Sequence, residues 1–128
     1  MAAWYQTVLA ARIVFRDECL CFLSYDDEHH RVALINIPGM PVRDPDATGT
    51  DHVAYTYNDL GELLATYQRL KIAGILPHWP INHGVTTSMY YRDPDNNRVE
   101  LRRSTISPRQ RNCRLISKAP PLPKIQSA

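Results

Sequence analysis

No acidic residue follows Glu100 in this chain of 128 residues, so its formal charge of +2 averages two unlike segments. Residues 1–102 carry nine basic and thirteen acidic side chains. The other basic residues, Arg103, Arg109, Arg111, Arg114, Lys118 and Lys124, all lie beyond. A pI near 8.5 therefore reports the tail and is no sign of a nucleic-acid-binding fold. Long apolar runs are lacking too. None approaches the ~20 residues of a membrane span. The opening MAAWYQTVLAARIVF has neither the basic start nor the unbroken apolar stretch of a secretory leader. A cytoplasmic protein with no membrane partner is expected. Cysteine is scarce: Cys19 and Cys21 sit too close for ordinary disulfide geometry, and with Cys113 they lack the pairs of a zinc ribbon. Reduced structural thiols are expected.

What is present suffices for one domain with a single two-layer core, at 44% apolar residues. The end of the chain, SPRQRNCRLISKAPPLPKIQSA, is rich in Pro, Ser and Arg and has no usable apolar period. Residues 104–128 read as a disordered basic tail beyond a domain at 1–103. Such a tail could touch RNA, DNA or an anionic membrane surface, but a nucleic-acid partner is not expected.

An internal repeat organises the rest. FLSYDDEHHRVAL (Phe22 to Leu34) aligns with MYYRDPDNNRVEL (Met89 to Leu101) at an offset of 67. Asp26 falls on Asp93, Arg31 on Arg98, Val32 on Val99 and Leu34 on Leu101. Each copy reads apolar strand, polar turn, apolar strand, which is a hairpin. Upstream, Tyr5-Gln6 aligns with Tyr67-Gln68 and Ala11-Arg12-Ile13 with Ala73-Gly74-Ile75, at an offset of 62. The two matches keep the same order on equivalent elements.

The second unit, about 51–103, reads β-α-β-β-β. His52 to Tyr57 alternates as a half-buried strand, with Val53, Tyr55 and Tyr57 on one face and His52, Ala54 and Thr56 on the other. Asn58 is a candidate N-cap, Leu60, Leu63, Leu64, Tyr67 and Leu70 form a helical stripe, and Gly74 suits the C′ position. Strands are expected around Ile75 to Asn82, Thr87 to Arg92 and Arg98 to Arg102, the last two separated by the turn formers Asp93 to Asn97. The first unit, about 3–38, starts late. Trp4, Tyr5, Val8 and Leu9 make a short helical stripe, followed by strands at Arg12–Phe15, Leu20–Tyr25 and Arg31–Ile37. By the helix offset, the counterpart of the His52 strand would precede Met1. Residues 38–50, with Gly39, Pro41, Pro45 and Gly49, form the linker.

Paired β-α-β-β-β units resemble the vicinal oxygen chelate superfamily of glyoxalases, bleomycin resistance proteins and extradiol dioxygenases. GTDHVAYTYNDLGELLATYQRLKIAGI is similar to the start of the metal-bearing module of extradiol ring-cleavage dioxygenases, and NHGVTTSMYYRDPDNNRVEL to its close. The resemblance spans about residues 4–103. It implies an α+β fold whose paired modules form a curved mixed-sheet cup, the first module lacking its first strand. It implies metal ligands on the first strand of each module and the last strand of the second.

The chemistry can be stated from the residues. Two imidazoles and one carboxylate hold Fe(II) while leaving positions open for a catecholate and O₂. His52 opens a strand, facing away from Val53 and Tyr55. Glu100 lies between Val99 and Leu101, where burial is costly unless the carboxylate is paired or ligates a metal. The bland alternatives are a half-exposed strand-start histidine and a surface glutamate paired with Arg98 or Arg102. In the repeat Glu100 falls on Ala33, which favours the one-sided dioxygenase ligand pattern over that of glyoxalase I.

Tyr90 matches the tyrosine that the resemblance assigns to holding a substrate hydroxyl. His83, in the Asn-His-Gly turn, is a candidate acid/base; its alternative is a solvated loop histidine. Ser88 shares the face of Tyr90. His78 and Trp79 are candidates for the pocket mouth, though for Trp79 plain core packing is the expected role. His29 and His30 read as hairpin-turn residues and stay outside the metal site. The expected function is a metal-dependent oxygenase resembling extradiol catechol dioxygenases, using Fe(II) or Mn(II) with a small aromatic substrate and O₂. The alternative is a metal-free binding, sequestering or biosynthetic-pathway protein of the same fold. A homodimer is expected, because an open sheet edge is a liability that a partner covers.

Overall fold

The computed structural model describes residues 1–41, 44 and 48–104. The middle of the linker and the tail from residue 105 onward, including Cys113, lie outside the described residues. The first unit runs α1 (Ala2–Leu9), β1 (Arg12–Arg16), β2 (Leu20–Ser24) and β3 (Val32–Ile35). The second runs β4 (His52–Thr56), α2 (Leu60–Ile72), β5 (Trp79–Asn82), β6 (Thr86–Arg92) and β7 (Arg98–Ser104). The last strand thus extends one residue beyond the expected edge of the domain.

The strands form two open sheets, β1-β2-β3 and β4-β7-β6-β5. All neighbours are antiparallel except β4 and β7, which run parallel because α2, β5 and β6 supply the crossover between them. This is the α+β arrangement of paired units expected from the repeat. Among the described residues β3 pairs only with β2, whereas its repeat counterpart β7 has β4 on its other side.

Local chemistry sets the limits of α2. The N-cap is Asp59 rather than Asn58, which corrects the expectation by one residue. The Asp59 carboxylate accepts from the Glu62 amide at 2.9 Å, and the Glu62 carboxylate reaches back to the Asn58 amide at 3.2 Å. A carboxylate at each end of this box satisfies two orphan donors at the positive end of the helix, which the Asn58 register would not. At the other end Gly74 adopts φ +75°. Its amide donates to the Lys71 carbonyl, and that of Ile75 donates to Leu70, as a left-handed C′ residue allows. Because Ile75 closes the helix, and Pro77 has no amide to donate, β5 begins only at Trp79. Pro80 is tolerated within β5 because that strand is an edge.

One core serves both units. Leu63 and Leu70 of α2 are fully buried against the outward face of β6 and β7, which carries Met89, Tyr91, Val99 and Leu101. Tyr5 and Val8 of α1, with Cys21 and Leu23 of β2, complete it. Leu60 and Leu64 are half exposed, so the buried stripe of α2 is narrower than its apolar pattern. Polar ties also cross between the units. The Tyr5 hydroxyl donates to Asp93 Oδ2 at 3.0 Å, and the Arg69 guanidinium donates to the carbonyls of Thr7 and Val8.

The repeat extends to turn chemistry. Asp93 Oδ1 accepts from the amides of Asp95 and Asn97, and Asp26 Oδ1 from the amide of Glu28 and from Arg31 Nε. His29 and His30 are exposed turn residues that pack on Phe22, Nδ1 to Nδ1 at 2.8 Å. Cys19 is exposed, Cys21 buried, and both are free thiols. No helix among the described residues is long and apolar enough to cross a membrane.

Candidate metal and substrate site

The inward face of the four-stranded sheet is organised in cross-strand rows. Ala54, Glu100, Tyr90 and Trp79 stand in register on β4, β7, β6 and β5. One step along the strands, Thr56, Arg102, Ser88 and Ile81 form the next row. In the other direction His52, Arg98 and Arg92 form the third. Two-residue periodicity keeps all of these on the face opposite the Tyr91, Val99 and Leu101 core.

His52 and Glu100 are diagonal neighbours on parallel strands, and His52 Nε2 lies 3.2 Å from Glu100 Oε2. Glu100 is only 4% exposed, so the bland reading of a surface carboxylate paired with Arg98 or Arg102 does not hold. On its other side the His52 ring meets Asp51, Nδ1 to Oδ2 at 2.7 Å, and Asp51 also accepts from Arg98 at 2.6 Å. Each ring nitrogen of His52 thus faces a carboxylate oxygen, Nδ1 that of Asp51 and Nε2 that of Glu100. A nitrogen and a carboxylate oxygen at this distance are held together by a proton or a cation between them. An imidazole oriented by a carboxylate on its far nitrogen is the usual arrangement of a histidine ligand.

Tyr90 closes the site from β6, its ring edge-on to His52 at 5.4 Å. Burial raises its phenol above the ordinary value, and the Glu100 charge and a hydrogen bond to Glu100 add to the effect. Trp79 stacks on the other side of Tyr90, with centroids 5.1 Å apart, and stays 44% exposed, so it is not a core residue. His78 lies 6.4 Å from Tyr90, its amide bonded to the Tyr90 carbonyl. Desolvation lowers its pKa, with Arg92 and Arg98 contributing. His83 sits in the β5–β6 turn, held by its amide bond to the Thr86 carbonyl. Its ring contact is with Trp79 at 6.5 Å, one ring further out than Tyr90. Ser88 is fully buried one row from Tyr90, and its hydroxyl has no hydrogen-bond partner.

The fold thus brings His52, Glu100, Tyr90 and Trp79 together, with His78 at their margin and His83 and Ser88 one step away. The sequence gives no site role to Asp51, Thr56 or Arg102. Strand alternation from His52 and Glu100 puts Thr56 and Arg102 on this face, whereas the role of Asp51 depends on a side-chain turn. A cleft of about 370 Å³ reaches His52 from the linker side, between Thr48 and Asn97. A larger one of about 670 Å³ lies along β3 and includes neither His52 nor Glu100.

One imidazole and one buried carboxylate converging on a point fit a divalent first-row ion as two of its protein donors. Among the described residues, no group of three His, Cys, Asp or Glu side chains does so.

Residues 1–101 match the Glyoxalase/Bleomycin resistance protein/Dioxygenase superfamily, and the chain belongs to that family. It is 52% identical over 108 residues to biphenyl-2,3-diol 1,2-dioxygenase 2 of Rhodococcus globerulus, covering 84% of this chain and 57% of that protein. It is 50% identical over 103 residues to biphenyl-2,3-diol 1,2-dioxygenase 3 of the same organism, covering 79% and 54%. The chain therefore spans about half the length of these relatives. Among solved structures, the bleomycin resistance determinant encoded on transposon Tn5 matches with TM-score 0.60 and 26% identity, over 82% of this chain and 87% of that one. The fosfomycin resistance protein of Mesorhizobium loti matches at TM-score 0.61 and 22% identity, over 85% and 84%, and shows the shared fold.

Proposed function

We propose that this chain carries an extradiol-type dioxygenase site, at which an aromatic diol and O₂ meet beside a divalent metal held by His52 and Glu100. The observation that carries the proposal is the 3.2 Å approach of His52 Nε2 to the buried Glu100 carboxylate, under a wall made by Tyr90 and Trp79. The likeness to two dioxygenases named for biphenyl-2,3-diol supports the same substrate class. Fe(II), or alternatively Mn(II), supplies the Lewis acidity and redox capacity that link diol and O₂.

The chain's own residues then bind and orient. Tyr90 keeps its proton to high pH and so donates a hydrogen bond to a deprotonated diol oxygen. The exposed face of Trp79 offers a stacking surface for the ring, with His78 beside it. His83, beyond Trp79, moves a proton to or from the reacting oxygen once substrate fills the space between them. Asp51 holds the His52 ring in place. The domain of residues 1–103, its cytoplasmic location and its pairing into a homodimer through the open β3 edge belong to the same proposal. Light scattering of the purified chain reads the dimer directly, and a monomer at all concentrations would remove that part.

Anaerobic loading with Fe(II), followed by metal analysis and oxygen uptake with catechol or 2,3-dihydroxybiphenyl, tests the central claim. About one iron per active unit and diol-dependent oxygen uptake are expected, and His52→Ala or Glu100→Ala should abolish both. The likeness to the bleomycin resistance determinant supports a second reading, a metal-free sequestering protein. Undiminished ligand binding in metal-free protein, with no oxygen uptake after iron loading, would establish that reading instead.

A further inference from the structure

The row beyond Glu100 and Tyr90 carries an unanswered charge. Of the two arginines that flank Glu100 on β7, Arg98 is neutralised by Asp51 at 2.6 Å. Among the described residues no carboxylate pairs with Arg102, whose hydrogen bond runs from Nε to Thr56 Oγ1 at 3.3 Å. That bond uses one of five guanidinium donors and leaves the two terminal nitrogens free. Directly across on β6, in register with Arg102, stands Ser88, fully buried with an orphan hydroxyl. A buried hydroxyl without a partner is costly unless a ligand or water completes it. Among the described residues the row thus combines a cation with no carboxylate partner and an enclosed hydroxyl with no hydrogen-bond partner, on one face.

Its position gives it a role. The His52 row and the Glu100–Tyr90 row hold the groups that would take the two diol oxygens. A ring held through these oxygens beside Trp79 and extended along the strands away from His52 reaches the Arg102 row. Two residues along a strand span about 6.6 Å, comparable to a benzene ring with its substituents. We propose that Arg102 and Ser88 form a subsite for a carboxylate on the ring, so that the substrate is an acidic aromatic diol. The guanidinium supplies charge-assisted hydrogen bonds to the carboxylate, and Ser88 donates one more. This rests on the dioxygenase reading for its placement of the diol oxygens.

The test compares 3,4-dihydroxybenzoate, catechol and benzoate as ligands of the full chain, metal-free and iron-loaded, by calorimetry and by chemical-shift changes at the Ser88 and Arg102 amides. The carboxylated diol should bind at least about tenfold more tightly than catechol. Arg102→Gln should remove that preference, bringing the affinity for 3,4-dihydroxybenzoate down to that for catechol. Arg102→Lys should restore part of it, and Ser88→Ala should reduce it by about threefold. Benzoate, which has no hydroxyls, should shift the same two amides and lose that effect in Arg102→Gln. Equal affinity for the two diols, a preference that survives Arg102→Gln, or no benzoate response would each overturn the subsite. Loss of catechol and benzoate binding together in Arg102→Gln would also overturn it, in favour of a general packing role. If benzoate responds at Arg102 but catechol binds nowhere on the chain, the subsite stands and the dioxygenase reading falls.

Discussion

His52 and Glu100 meet diagonally across the parallel β4–β7 pair, His52 Nε2 standing 3.2 Å from a carboxylate buried to 4% exposure. In metal-free protein, His52→Ala would leave that carboxylate buried beside Tyr90 with its imidazole partner gone. The expected cost is about 1–2 kcal/mol, below the value for a fully buried pair because His52 is one-third exposed. Adding Glu100→Leu to the same background should recover most of the loss, since an apolar group there needs no partner. Urea unfolding of the single and double variants reads the difference. A His52→Ala protein as stable as the parent would show that the carboxylate draws nothing from the imidazole.

The Tyr5–Asp93 bond joins the helix of the first unit to the hairpin turn of the second. Burial, followed by the charge of Asp93 and the hydrogen bond to it, holds the Tyr5 phenol well above its ordinary value of 10. A folded-state pKa raised in this way contributes stability that is complete below the unfolded value and is lost as pH climbs toward the folded one. Stability should therefore fall on alkaline titration above about pH 10. Tyr5→Phe should cost about 1–2 kcal/mol at neutral pH and flatten the alkaline loss. Tyr91, which burial pushes up to about 12, together with Tyr55 and Tyr90, which burial also raises, would account for the decline that remains. Denaturation midpoints measured from pH 7 to 11 check this, and identical profiles for parent and Tyr5→Phe would refute it.

Arg69 links the two helices. Its guanidinium donates to the carbonyls of Thr7 and Val8 at the C-terminal end of α1, a helix with no basic residue in its own last turn. The cation from α2 thus serves both as a cap and as a counter-charge to the α1 dipole. Arg69→Ala should destabilise the chain by about 1–2 kcal/mol, with Arg69→Lys retaining roughly half. Hydrogen exchange should quicken at α1 amides while β6 and β7 keep their protection. Uniform quickening over all elements would mean that Arg69 supports the whole core rather than this junction.

Much of the architecture was legible in the chain because periodicity and turn chemistry are local. The offset between the two hairpins identified the repeat, and Asp26 and Asp93 indeed perform the same turn-closing task in both copies. Alternation along His52 to Tyr57 and Arg98 to Arg102 correctly put His52, Glu100, Arg98 and Arg102 on one face. Where local signals competed, the reading slipped by a residue or more. Asn58 and Asp59 are both good caps, and only the reciprocal bond with Glu62 selects Asp59. The strand expected from Ile75 loses its first residues to the helix terminus and to Pro77.

By itself the sequence determined which residues share a face, where chains turn, and which carboxylate would be costly to bury, because each follows from side-chain spacing of two or three to four residues. Tertiary structure alone decided which of those residues meet. The parallel register of β4 on β7 depends on a crossover of more than forty intervening residues, from Tyr57 to Asn97, that no local pattern encodes. That register brings His52 to Glu100, sets Arg98 against Asp51, and leaves Arg102 facing Thr56 and Ser88 with no carboxylate paired to it among the described residues. Charge balance at the site is a property of pairings across strands, and so it exists only once the sheet has formed.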